Sequence, residues 1–276
     1  MIASFSRCFA LATLVIAQLA SAQEETNPHK DTHWSWSANV TPTQMKQIID
    51  NSGFRIIDLE VARESPLEFS VVWVKNDGPF RRSWWWYPNI SGSEVDKFAP
   101  QKDAHLLDIE VVSLKQGGRF AAVYVKDPEP SKAWNWTAGS ISMNAVGSYL
   151  KSVVAAKKRL IHLDPNANLP DYTTSIEAPN TGPAATKWWV VPTGSENYIA
   201  STIKDHNARL VHIERQPGNK FCVILVRSKG EKWWWFLDKT ENEVKTLSNK
   251  LDGRIIDIAT HWRNGVQYFD FIMVGN

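Results

Sequence analysis

The sequence has 276 residues, 43% of them hydrophobic and 22% charged, which excludes a disordered or collagen-like chain. Its 31 basic and 29 acidic side chains leave a net charge of +2, without the concentrated basic face that duplex nucleic acid demands, so no nucleic-acid partner is expected. Fourteen residues are Trp, several times the usual share of a soluble domain.

Taken in chain order, residues 1–22 read as a secretory signal. Arg7 precedes an apolar run from Cys8 to Leu19, and Ala20-Ser21-Ala22 fits the small-x-small cleavage pattern, with cleavage expected before Gln23. The run is shorter than the ~20 apolar residues that cross a bilayer, and no later stretch is long enough, so no membrane span is expected. Residues 23–33 read as a loose tail and 34–276 as one domain, exported to the extracellular space. Cys8 leaves with the signal. Cys222 then remains as a lone thiol inside the apolar strand Phe221 to Val226, where an inert buried role is expected. Three sequons, at Asn39, Asn89 and Asn135, are candidate glycosylation sites in an exported chain.

The domain is a fivefold repeat. Trp clusters end at Trp36, Trp86, Trp136, Trp189 and Trp235, spaced by 50, 50, 53 and 46 residues. A second signature follows each cluster, with Asp58, Asp108, His162, His212 and Asp257 lying 22, 22, 26, 23 and 22 residues beyond those Trp positions. A third signature opens on Phe69, Phe120, Phe221 and Phe269, while the third repeat offers only Tyr172 to Ile176 and is degenerate. Between the first two signatures, Thr41/Gln44, Ser91/Glu94, Thr193/Glu196 and Thr240/Glu243 fit the helix capping box, and repeat three lacks one. The fold class is therefore α+β: five units, about 34–82, 83–132, 133–186, 187–231 and 232–276, each an aromatic strand, a short helix and a two-stranded hairpin. One such unit cannot bury both its helix face and its sheet, so neighbours must pack together. The array either closes into a ring or propeller-like disc or stays open; the absence of polar capping repeats favours closure.

Residues two apart on a strand share a face. Asp58 and Glu60, Asp108 and Glu110, His162 and Asp164, His212 and Glu214, and the single Asp257 therefore face away from the neighbouring Ile, Leu and Val. Converging acids and imidazoles are the ligand types metals use. A position repeated in every unit is more simply explained by one inter-repeat hydrogen bond, with the upstream Arg or His or an indole as partner, so no metal or cofactor is assigned. Alternate Trp residues likewise read as packing between repeats. Trp85, Trp234 and Trp188 are taken as the variable intermediate positions and the better candidates for a ligand surface. Ser148/Lys151 and Ser201/Lys204 match a Ser-x-x-Lys spacing, but both fall on the repeat helices, and neither Lys-Thr-Gly nor Ser-Asp-Asn occurs elsewhere. No catalytic residue is assigned.

The stretches Gly53 to Glu60, Phe69 to Lys75 and Gly118 to Lys126, with the helix before the first of them, resemble the tandem repeats of some bacterial secreted proteins and of the N-terminal region of fungal polyglycine hydrolases. In that family the catalysis belongs to a following β-lactamase-like domain, which this chain lacks. The resemblance implies an accessory module that engages a substrate and carries over no catalytic residue. The function expected is a secreted, non-catalytic binding module for an extracellular protein or polysaccharide. The alternatives are a hydrolase using Asp, Glu and His groups from adjacent repeats, and a structural or adhesive wall protein.

Overall fold

The computed structural model describes residues 33–78, 81–115, 118–126, 134–139, 141, 145–165 and 172–275. The signal sequence and the tail up to residue 32 lie outside the described residues. Five units follow one another. The first runs β1 (Trp34–Val40), α1 (Pro42–Ser52), β2 (Phe54–Glu64), β3 (Leu67–Lys75), and the second β4 (Ser83–Ser91), α2 (Gly92–Lys102), β5 (His105–Ser113), β6 (Arg119–Lys126). The third runs β7 (Asn135–Ala138), α3 (Val146–Ala155), β8 (Lys158–Pro165), β9 (Thr173–Pro179), and the fourth β10 (Trp188–Gly194), α4 (Glu196–His206), β11 (Ala208–Gln216), β12 (Lys220–Arg227). The fifth is β13 (Trp233–Lys239), α5 (Glu241–Lys250), β14 (Gly253–Arg263) and β15 (Val266–Gly275).

Each unit forms a three-stranded antiparallel sheet in which the last strand lies in the middle, as in β1-β3-β2. The middle strands are accordingly buried along an unbroken run of six residues each, and the aromatic and acidic strands form the two edges. The third unit keeps this layout despite its degenerate sequence: β9 is buried along Thr173 to Ala178, with Thr174 and Ser175 hydrogen-bonded to His162 and Tyr149.

The helices begin where side chains satisfy the first amide donors. Thr41, Ser91 and Thr240 form complete capping boxes with Gln44, Glu94 and Glu243. Helix α3 begins at Ala145 with no side-chain cap, as its sequence predicts. Helix α4 departs from the expected pattern. Ser195, not Thr193, accepts the amide of Tyr198, because β10 runs on through Gly194 and the Thr193 hydroxyl is turned toward Gln216.

Every acidic edge strand carries a β-bulge just before its repeated polar residue, between Ile56 and Asp58, Leu106 and Asp108, Leu160 and His162, Leu210 and His212, and Ile255 and Asp257. The extra residue re-aims the strand. In the first unit Ile56 and Leu59 stay in the unit's own core, while the bulged Ile57 reaches the core of the fifth unit. Leu107, Ile161, Val211 and Ile256 likewise enter the core of the unit before their own.

All five cores are built at junctions. Met45 of α1 packs with Phe69, Val71 and Trp73 and with Trp84, Trp86 and Val123 of the next unit. The fifth core takes Val244, Phe269 and Phe271 from its own unit and Trp34, Trp36 and Val72 from the first. Edge-to-face pairs recur at these joints: Trp86 on Phe69, Trp136 on Phe120, and Trp36 on Phe269, with centroids 6.5, 5.9 and 5.5 Å apart. Between units three and four both partners change. Val190 pairs with Ile224 where Trp36 pairs with Val72, and Thr173 stands three residues before Ile176 where Phe69 stands three before Val72.

The capping boxes are independent of the junctions, so Ser91→Ala should lower stability by about 1 kcal/mol in chemical denaturation without changing the far-UV dichroism of the folded chain.

Candidate functional site

The acidic strand is an edge strand, so alternate N–H groups along it have no partner within their own sheet. The adjoining unit supplies one. Asp108 Oδ2 accepts the amide of Leu59 at 2.7 Å, Asp257 Oδ2 that of Ile213 at 2.8 Å, and Asp58 Oδ2 that of Ile258 at 2.9 Å. At these three positions the expected inter-repeat hydrogen bond is made to a backbone amide.

Where His replaces Asp, the network rearranges. His162 Nδ1 lies 3.3 Å from Asp108, and Asp108 Oδ1 accepts from the amide of Ile109 in its own unit at 2.9 Å. His212 bridges two neighbours, with Nδ1 at 2.8 Å from Asp257 and Nε2 at 3.3 Å from the carbonyl of Leu163. Burial works against a charged His212 ring, yet Asp257 in contact with it, helped by Asp108 and the Leu163 carbonyl, raises its pKa above the ordinary value.

Two residues further along each strand, Glu60, Glu110, Asp164 and Glu214 border a cavity of about 930 Å³ to which all five units contribute. Oxygens of Glu60, Glu110 and Glu214, from three different units, come within 4.8 Å of one another. The fifth unit has the buried, uncharged Ala259 at this place. Burial lifts the carboxyls of Asp58, Glu60, Glu110 and Glu214 well above the usual range, and the charges of the neighbouring acids lift them further. Asp164 is raised by burial too, against the pull of His162 and His212.

The outer wall of the cavity is made by hairpin ends and is rich in cations already engaged elsewhere. Arg215 grips Asp270 through Nε at 2.6 Å and Nη2 at 2.9 Å and also meets Asp238 at 3.2 Å. His261 and Arg263 lie 3.1 and 3.4 Å from Asp238, and Arg63 lies 3.2 Å from Glu68. Trp262 stands among them, 42% exposed, its indole donating to the carbonyl of Ala62 and its face 4.8 Å from the Arg63 guanidinium.

The aromatic candidates read from sequence lie elsewhere. Trp188 is 3% exposed, in a core with Leu150 and Ile224. Strand pairing corrects its register: Trp188 pairs with Val226 as Trp84 pairs with Val125, so the intermediate position of β10 is Trp189. Trp85 and Trp234 are half-buried against their own cores. Lys102 lies over the Trp85 ring, and Trp234 packs so closely on Gly253 that a side chain there would meet it at 2.9 Å. None of the three borders the shared cavity. Trp262 does, and sequence reasoning passed over it, although it and Trp73 are the two Trp residues outside the five clusters.

Among the candidate glycosylation residues Asn89 and Asn135 are exposed, while Asn39 is half-buried and donates from Nδ2 to Gln267 at 2.6 Å. Cys222 is fully buried and its thiol is pushed well up. No helix among the described residues is long and apolar enough to cross a membrane. No protein-family model matches the chain, and no curated protein matches it.

An acid whose pKa is raised by folding stabilises the fold while protonated, and that contribution is lost as pH rises through the raised value. Glu60, Glu110, Glu214, Asp58 and Asp164 all carry this sign, as does the raised base His212. His261, held below its ordinary value by burial, opposes them as pH falls. The acids outnumber it. In buffer free of divalent cations the unfolding temperature should therefore fall between about pH 5 and pH 8, above the ordinary carboxylate range, and Glu110→Gln should flatten that slope.

Proposed function

We propose that this chain is a secreted, non-catalytic binding module for an extracellular glycan, which enters the shared cavity and stacks on Trp262. The observation that carries this reading is an exposed indole, 42% accessible, on the wall of a 930 Å³ cavity. A flat apolar face with polar side chains beside it suits sugar recognition, and Glu64, Lys115 and Asn219 line the same wall with exposed side chains. The resemblance to accessory repeat modules of secreted proteins supports the same role.

A hydrolase is the rival that the convergent carboxylates favour, since two carboxyl groups about 5–5.5 Å apart suffice for a retaining glycosidase. Such chemistry needs one group held protonated and its partner ionised. The accessible face of Trp262, which hydrolysis does not require, favours binding. Titration of the purified chain with a polysaccharide panel should give saturable binding, weakened by roughly 0.5–1.5 kcal/mol in Trp262→Ala and retained in Trp85→Ala. Equal binding by Trp262→Ala would remove the site from this cavity. Glycan turnover abolished by Glu110→Gln would replace binding with hydrolysis.

We also infer that the five units close into a ring. Support comes from the joint between the last unit and the first, where Thr260 meets Ser70 at 2.9 Å, Trp262 donates to Ala62 at 2.9 Å, and Trp34 and Trp36 enter the fifth core. In a closed ring Trp36→Ala, at the joint of units five and one, should cost as much as Trp86→Ala, at the joint of units one and two: about 2 kcal/mol for a half-buried Trp, against 3–5 for a fully buried one. A negligible cost for Trp36→Ala alone in denaturant unfolding would mean an open array.

A further inference from the structure

We propose that the carboxylates of Glu60, Glu110 and Glu214 form a site for a hard divalent cation of the calcium class at the inner end of the shared cavity. Their oxygens gather within 4.8 Å of one another. Calcium accepts such a group of carboxylates from separate strands in irregular geometry, whereas magnesium demands a near-ideal octahedron and gives up its water reluctantly. The donors are all oxygen, which selects a hard cation over zinc or copper.

A cluster of acids alone would not carry this assignment; Glu110 does. It is 5% exposed, and among the described residues it has no hydrogen-bond or ion-pair partner, yet it borders the cavity. A buried carboxylate left in that state is costly unless a cation or a proton compensates it. The rim arginines do not compensate it, since Arg63 and Arg215 are paired with Glu68 and Asp270. The ligand atoms of Asp108, Glu110 and His162 also lie within 4.8 Å of one another. There, however, both Asp108 oxygens accept backbone amides and His162 is engaged by Thr174 and Asp108. That leaves the three glutamates. The remaining coordination positions fall to water, for which a cavity of 930 Å³ has room many times over.

The test is calorimetric titration of the chelator-stripped full chain with calcium chloride and, separately, magnesium chloride, together with thermal unfolding with and without calcium. One saturable calcium site, a weaker magnesium response and a higher unfolding temperature in calcium are expected. Glu110→Gln should weaken calcium binding by at least about tenfold, the least that loss of even an outer partner of a metal usually costs. It should unfold no earlier than the parent without calcium, because a repelled charge has been removed. Glu60→Gln should weaken binding in the same way and serves if Glu110→Gln misfolds, and Asp50→Asn, on the exposed side of α1, should bind as the parent does. A parent without saturable calcium binding, or folded glutamine variants that bind as tightly as the parent, overturns the proposal. Calcium is the probe and no glycan is present, so this result and the fate of the Trp262 site are read independently.

Discussion

An edge strand leaves alternate amides with nowhere to bond, and the architecture of this protein turns on how they are satisfied. Carboxylates of adjoining units accept the amides of Leu59, Ile213 and Ile258. Each satisfies a backbone amide that has no partner in its own sheet, and a hydrogen bond of this kind is worth about 0.5–1.5 kcal/mol. The bond needs the strand to turn its acid toward the neighbour while its aliphatic side chains stay in the core, and the β-bulge before each acid makes that turn. From the bulge follow the approach of the acidic strands and the gathering of the next acid along each strand around one cavity. The raised pKa values of those acids are the electrostatic consequence of an arrangement that begins with backbone hydrogen bonding.

Much of this is legible in the sequence because the repeat prints its own register. The strand–helix–strand–strand unit, the capping boxes at Thr41, Ser91 and Thr240, the uncapped third helix and the pairing of polar positions on one face all follow from periodicity and local hydrogen-bond chemistry. Placing the last strand in the middle of each sheet does not, because sheet order depends on nonlocal pairing. The bulges are equally hidden: Ile57 or Leu107 looks like any other residue of an apolar run. In β10 the two-Trp cluster, aligned by its last indole, falls one residue out of register. A uniform offset of 22 residues to His212 points instead to Val190, the register that the pairing with Ile224 bears out.

The site was harder to read for a different reason. Repetition draws attention to the clustered Trp residues, and those are the ones spent on joints, where Trp36, Trp86 and Trp136 meet the Phe of the preceding unit. The residue that departs from the repeat, Trp262, is the one left accessible beside the cavity. The acids form the complementary case. Their spacing predicts a shared face, but only the fold tells Asp108, whose oxygens are occupied by amides, from Glu110, which has no hydrogen-bond partner among the described residues.

Every hydrophobic core takes residues from two units, and the fifth is completed by Trp34 and Trp36 of the first, so no unit buries its core alone. Excision of a unit would bring together surfaces of different composition, because the joint of units three and four carries Val190 and Thr173 where others carry Trp and Phe. The five units are thus not interchangeable parts, and the position that carries an acid in four of them holds Ala259 in the fifth.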